Sequence, residues 1–578
     1  MKRYIYILLS VIIFLMLSAC DDQLDTGLRT SLYDEQVYKD YTRTLNLGMM
    51  PYTYLAQGFT NIDGAMMASA CDEAEHTLET SNVQKFNTGA WNPFDNADDV
   101  WSRYYRGIRL VNDFLSKADS VNLDFWKLDP TPTQQSVYLT RKADLKRLKY
   151  EDRFLRAFFY FELIKRYGGV PIVTEVIKLN DNFSSVPRNT LEKCIRFITD
   201  ECDSAAAMLP VLQPATDMGR ATKGAALALK SKALLYAASN LFNTPPAGYA
   251  NPELVSMPAG DRIARWQAAA DAANAVITLT GTGYALATNY RNIFRTYNSP
   301  EIIFTCRAGA SNTFERASFP IGFDGGNSGT TPSQNLVDAY EVKVNATTAV
   351  PFDWSNPLHA ANPYAPSGTL GRDPRLDASI ITNNSQFKGG KTSSRAVECW
   401  IGGKDGKGVP LATKTGYYVK KYVDEALDLV NNRTSVHSWI YFRYAEILLN
   451  YAEALNEAQG PVAAVYTRVN AVRTRTTVGM PPLPAGLTQA QMRDVIRNEF
   501  RVEFAFEDHR PWDVRRWMLG EAYFNVPLRG VEITNANGVF TYTPINIENR
   551  VFEPKMYLYP IPQSELNIMK GWIQNPGW

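Results

Sequence analysis

The stretch "EFAFEDHRPWDVRR" (503–516) places Glu503, Glu507, Asp508, His509 and Asp513 beside Arg510, Arg515 and Arg516. Carboxylates and a histidine at this density have the makings of an acid–base site. The same residues also suit an ion-paired helix end and turn, with arginines forking onto carboxylates. The alternation of opposite charges favours that structural reading. A glycosidase needs only two carboxylates, so a surface glycosidase stays open as an alternative. The chain has four histidines, His76, His359, His437 and His509, and neither an H-E-x-x-H nor a G-x-S-x-G motif. "FKGGKTSS" carries Gly390-Lys391-Thr392, but the first glycine of a phosphate loop would fall at Ser385. The expectation is a protein that is not an enzyme, with no cofactor and no metal.

A second group suits binding rather than catalysis. Trp91 stands among Asn87, Gly89, Asn92, Pro93, Asp95 and Asn96, a segment of turn composition. A tryptophan on a polar loop offers a flat face for the C–H side of a sugar ring, with amides nearby for hydroxyls. Asp72, Glu73 and His76 in "ACDEAEH" are its candidate neighbours. Ten residues on, Trp101 shares a helical stripe with Tyr105, Ile108 and Leu115 and is expected in the core.

The elements that must hold such a site read as helices. In "RFLRAFFYFELIKRYGGVPI" (153–172), Phe154, Phe158 and Phe161 share one face and Leu155, Phe159 and Leu163 another. Charges at 153, 156, 162, 165 and 166 exclude a bilayer, so neighbours must cover both faces, as in stacked helix pairs. Alanine-rich stripes recur at 222–242, 265–279, 441–460 and 460–476, the last two reading as a helical hairpin across Gly460. Between 281 and 436 Gly, Asn, Ser, Thr and Pro rise and short β-prone pieces such as "EIIFTCRA" and "YYVKKYV" appear. The fold class is mainly α, a tetratricopeptide-like superhelix of helical hairpins with an inserted, loop-rich, short-strand ligand-binding region.

The 578 residues carry 60 basic and 59 acidic side chains, so no overall field holds nucleic acid. Lys2 and Arg3 precede an apolar run from Tyr4 to Leu17, which has the form of an export signal. It closes on Leu17-Ser18-Ala19-Cys20, a lipobox-like sequence that marks Cys20 for acylation. Asp21 and Asp22 follow. Of the other cysteines, Cys194 and Cys202 are about 12 Å apart along one helix, beyond disulfide reach. Buried, inert thiols are expected.

"TPSQNLVDAYE", "GRDPRL", "RYAEILLNYAEALNE", "FRVEFAFEDHRPWDVRRW" and "YLYPIPQSELNIMKGWIQNPGW", together with 153–172, resemble the SusD/RagB family and stand in its order. The resemblance departs at Asp508 and Pro511, where the family commonly has glycine and an aromatic. It implies an outer-membrane surface lipoprotein that binds glycans, or peptides as RagB-like members do. It also implies a SusC-like TonB-dependent barrel as partner. The expected organisation is a signal peptide (1–19), an acylated tether (20–40), an N-terminal helical region (41–280), the insertion (281–436), and a C-terminal helical region with its tail (437–578).

Overall fold

The computed structural model describes residues 37–178, 181, 184, 186–307, 309–391 and 393–578. The signal segment, Cys20, Asp21 and Asp22 lie outside the described residues. The helices that build the scaffold are α1 (Tyr41–Met49), α2 (Trp101–Lys117), α3 (Asp124–Lys127), α4 (Pro132–Tyr167), α5 (Leu191–Met208), α6 (Lys223–Ala238), α7 (Arg262–Ile277), α8 (Tyr444–Gln459), α9 (Ala463–Arg473) and α10 (Gln489–Glu503). Packing runs α2–α4–α5–α6–α7–α8, with α9 and α10 both on α8, so most helices have one neighbour on each flank. Helices α7 and α8 touch although residues 278–443 separate them in sequence. Buried alanines at 225, 226, 228, 269, 270, 273, 445 and 452 allow these axes to approach closely.

Helix α4 is covered on three sides rather than two. Phe159 stacks on Tyr104 of α2 (5.5 Å), Phe161 meets Tyr236 of α6 (5.1 Å), and Phe158 meets Tyr441 (4.8 Å). The helix stops at Gly168, whose φ of 71° suits glycine and whose side-chain-free Cα lies against the Leu254 carbonyl. Trp101 is buried as its stripe requires, and Asp99 accepts a hydrogen bond from its backbone N–H (3.0 Å).

Strand Ile302–Arg307 (β2) pairs antiparallel with Ser438–Arg443 (β8), holding the entrance and exit of the long middle segment together. The segment between them holds very short pairs, Ile380–Ile381 (β4) with Tyr418–Val419 (β7) and Gln386–Phe387 (β5) with Arg395–Ala396 (β6), and its Thr330–Pro332 (β3) pairs with Ala74–His76 (β1) from the N-terminal region. The largest strand pair falls within 437–578, the expected C-terminal helical region and tail. Leu528–Ala536 (β9) and Val539–Glu548 (β10) form a hairpin. Its turn residues Asn537 and Gly538 both have positive φ (54° and 90°), the requirement of a tight Asn-Gly turn that matches strand twist. Val531 and Ile533 of β9 enter the core under the middle segment, where the Ile401 N–H donates to the Ile533 carbonyl (2.9 Å). Cys71, Cys194, Cys202, Cys306 and Cys399 are unbridged.

Candidate functional site

The acid–base cluster is absorbed by ion pairs with distant parts of the chain. Arg443, leading into α8, reaches Glu301 (2.6 Å), Glu503 (2.7 Å) and Glu507 (2.8 Å). Arg375 binds Asp373 (2.6 Å) and Glu503 (2.9 Å), and Lys421 binds Glu507 (2.6 Å). Arg516 takes Asp513 and Glu453 at 2.7 Å each. His509 lies 3.7 Å from Asp513 and stacks on Phe504 at 4.3 Å. Glu503 and Glu507 are buried, and both carboxylates are taken up by these cations. Asp508 has φ +59°, backbone that favours glycine, which accounts for the family's usual residue there. Burial pushes its carboxyl up to about 7.

The structure corrects the Trp91 expectation. Trp91 is 2 % exposed, wedged among Phe86 (5.3 Å), Tyr559 (5.0 Å) and Trp578 (4.6 Å), because the C-terminal tail folds back over the 87–96 loop. The solvent-facing aromatic of that loop is Phe94. Asp72, Glu73 and His76 are also buried and form no opening with it. Asp72 is clamped by Arg501 (2.6 Å) and Arg510 (2.8 Å), which outweigh its burial and hold its carboxyl near about 2. His76 Nδ1 accepts the Leu78 N–H (3.2 Å), and burial lowers the ring's basicity.

Glu73 is a different case, since neither carboxyl oxygen has a partner among the described residues. Burial, reinforced by the Asp72 charge, pushes it up to about 8. A raised carboxyl contributes stability that is complete below its unfolded value near 4.5 and is lost as pH rises through about 8. Glu73→Gln is therefore expected to raise the melting temperature more at the alkaline end of that window than at the acid end. Thermal melts across the window check this, and a pH-independent difference would contradict it.

The opening with binding character lies elsewhere, between the middle segment and the β9–β10 hairpin. It is a cleft of about 820 Å³ lined by Tyr364, Asn383, Asn384, Gln386, Phe540 and Tyr542, among others. Phe540 and Tyr542 alternate along β10 and so share one face. Four half-buried rings run in sequence: Trp400 to Phe540 (5.3 Å), Phe540 to Tyr542 (6.5 Å) and Tyr542 to Tyr364 (5.3 Å). The Asn383 amide nitrogen stands 3.5 Å from the Tyr542 hydroxyl, while its oxygen accepts the Cys399 N–H (3.1 Å). Burial raises Tyr542, keeping its hydroxyl a donor at neutral pH. Asn384 and Gln386 are exposed, leaving amides facing solvent beside the rings. Lys420 reaches Asp377 at the border (3.1 Å). None of these residues was singled out from sequence. The available signal was Asn-Gly between two alternating runs, with aromatics at 540 and 542. Among the described residues no cluster of three His, Cys, Asp or Glu side chains is arranged to hold a metal ion.

Comparison with known proteins gives the fold its context. A sequence model of the SusD family matches residues 300–578, and one described as "Starch-binding associating with outer membrane" matches residues 49–235. The chain belongs to the SusD family. SusD-like protein P2 of Formosa agariphila is 25% identical over 507 residues, 86% of this chain and 83% of that protein. A SusD-like protein of Bacteroides fragilis superposes with a TM-score of 0.77 at 27% identity, covering 94% of this chain and 99% of the other. A SusD-like carbohydrate binding protein of the same species gives 0.72 at 24%, over 92% and 99%. SusD-like proteins form a carbohydrate-binding family with a tetratricopeptide-like helical fold, as seen in α4–α10. In this SusD-like chain the aromatic cleft stands on the segment that the helical scaffold carries.

Proposed function

We propose that the protein captures a glycan chain in the Tyr364–Tyr542 cleft at the cell surface and passes it to a SusC-like TonB-dependent barrel in the outer membrane. The observation that carries the reading is the row of four rings beside solvent-facing amides. Ring faces pack on the apolar side of pyranose rings, and amides exchange hydrogen bonds with hydroxyls. The spacing of successive rings, 5.3–6.5 Å, favours an extended chain over a monosaccharide. The proposed anchor is lipid on Cys20, which closes the lipobox-like Leu17-Ser18-Ala19-Cys20, and the pore is assigned to the SusC-like partner. The ion-paired state of Glu503 and Glu507 favours capture over hydrolysis.

Native affinity gels containing a series of α- and β-linked polysaccharides, with a reducing-end assay on the same mixtures, test this reading. Retardation by at least one polysaccharide without new reducing ends is expected. New reducing ends would establish the hydrolase, and no retardation by any glycan together with binding of oligopeptides would replace glycan by peptide.

A further inference from the structure

A second feature, near the first of the described residues, has the chemistry of a membrane-contacting surface. The segment that follows α2 (118–123), α3 and the first half of α4 enclose a cleft of about 490 Å³ with an apolar floor that includes Leu123, Tyr138 and Leu145. Lys127, Lys142 and Lys146 stand exposed around it, and none of the three has a carboxylate partner among the described residues. Nearby acids are largely taken: Asp119 pairs with Lys149 (2.6 Å) and Asp113 with Lys117 (2.7 Å). Asp124 is the carboxylate left facing the lysines.

Beside the cleft, α3 and the segment after it display Phe125 and Leu128, 75 % and 76 % exposed. Large apolar side chains bare to this degree and flanked by cations are not explained by the fold. The rest of α3 is held firmly: Arg141 stacks on Trp126 (3.7 Å), and Gln135 donates to the Lys127 carbonyl (2.9 Å) and the Asp129 carbonyl (2.6 Å). The two bare residues are thus presented from a fixed platform.

The first described residues pack at the same place. The Tyr38 hydroxyl donates to Asp113 (2.8 Å) and the Tyr41 hydroxyl to Asp144 (3.0 Å), and Asp144 lies on α4 between Lys142 and Lys146. Sixteen residues, seventeen chain steps, separate Cys20 from Val37, a reach of at most about 60 Å when fully extended. Whatever surface holds residue 20 is therefore within reach of this cleft.

We propose that the Lys127–Lys142–Lys146 cleft, with Phe125 and Leu128, docks on a membrane surface bearing net anionic phosphate headgroups. The lysines bind the phosphates, the apolar floor takes the glycerol–acyl junction, and the two bare side chains enter the interface. This sets the orientation of the protein above the membrane. It goes beyond the glycan reading and does not depend on it, because the cleft shares no residue with the Tyr364–Tyr542 site.

The test uses full-length mature protein carrying Cys20→Ala, so that no acyl chain contributes. Flotation is measured with phosphatidylcholine vesicles and with vesicles containing roughly 30 mol% phosphatidylglycerol, at about 0.1 M and 0.5 M salt to vary screening. Binding to the anionic vesicles alone is expected, weakening with salt. The combined K127E, K142E and K146E changes should reduce it tenfold or more, and F125S with L128S should reduce what survives at high salt. Melting temperature and glycan affinity should not change in either variant. Equal binding to both vesicle types, or full binding by the lysine variant, would overturn the proposal. So would loss of binding on adding millimolar-range inorganic phosphate at constant ionic strength, which would make the cleft a site for free phosphate.

Discussion

Glu503→Ala is expected to destabilise the protein by about 3–5 kcal/mol, the scale of leaving buried charge uncompensated. Glu503 is fully buried and accepts from Arg443, Arg375 and Arg475. Burial alone would raise its carboxyl, but the three guanidinium groups outweigh burial and hold it well below the usual carboxylate range. The depressed value means its stability is present above the unfolded value near 4.5 and is lost as pH falls toward the folded one. Its partners come from the middle segment (Arg375), the strand before α8 (Arg443) and the turn after α9 (Arg475), so one deletion loosens three connections. Glu507→Ala should cost nearly as much, since it strands Arg443 and Lys421. His509→Ala should cost less, its ionic contacts being 3.7 and 3.9 Å. Denaturant unfolding of the three variants at neutral pH measures the order. A loss below about 1 kcal/mol for Glu503→Ala would match an exposed pair and refute the buried knot.

The helical scaffold was legible because its signal is local. The two apolar faces of 153–167 and the alanine stripes of 441–460 and 460–476 follow from spacing alone, and the structure has helices within both. The structural role of 503–516 was legible from charge alternation, though its partners at 72, 375, 421, 443, 453 and 475 were not, because they arrive through tertiary contacts. Trp91 failed for the same reason. A turn-rich segment with one tryptophan describes a platform and a wedge equally well, and what decides is the tail that brings Tyr559 and Trp578 onto it. The cleft was hidden differently: Phe540 and Tyr542 carry a local hairpin signal, but Tyr364 and Trp400 sit in irregular chain with no period to read.

The largest expected effect on function is in the ring row. Removing Phe540 and Tyr542 together takes away the middle two of four rings while leaving β10 paired to β9. Each aromatic contact contributes about 0.5–1.5 kcal/mol beyond its buried area. Their joint loss is expected to weaken glycan binding roughly tenfold or more, since about 1.4 kcal/mol corresponds to a factor of ten. Tyr542 also holds the Asn383 side chain in register, so Tyr542→Phe should retain the stacking and lose only the hydrogen-bonded part.

The most direct measurement is calorimetric titration of the polysaccharide that retards the wild-type protein in gels, into wild type, F540A/Y542A and W91A, with a thermal melt of each. The cleft account predicts that F540A/Y542A melts near wild type and binds at least tenfold more weakly. It also predicts that W91A binds normally but is destabilised by about 3–5 kcal/mol, the usual cost of emptying a buried tryptophan site. Unchanged affinity in F540A/Y542A, or affinity lost in W91A without a change in melting, would contradict it.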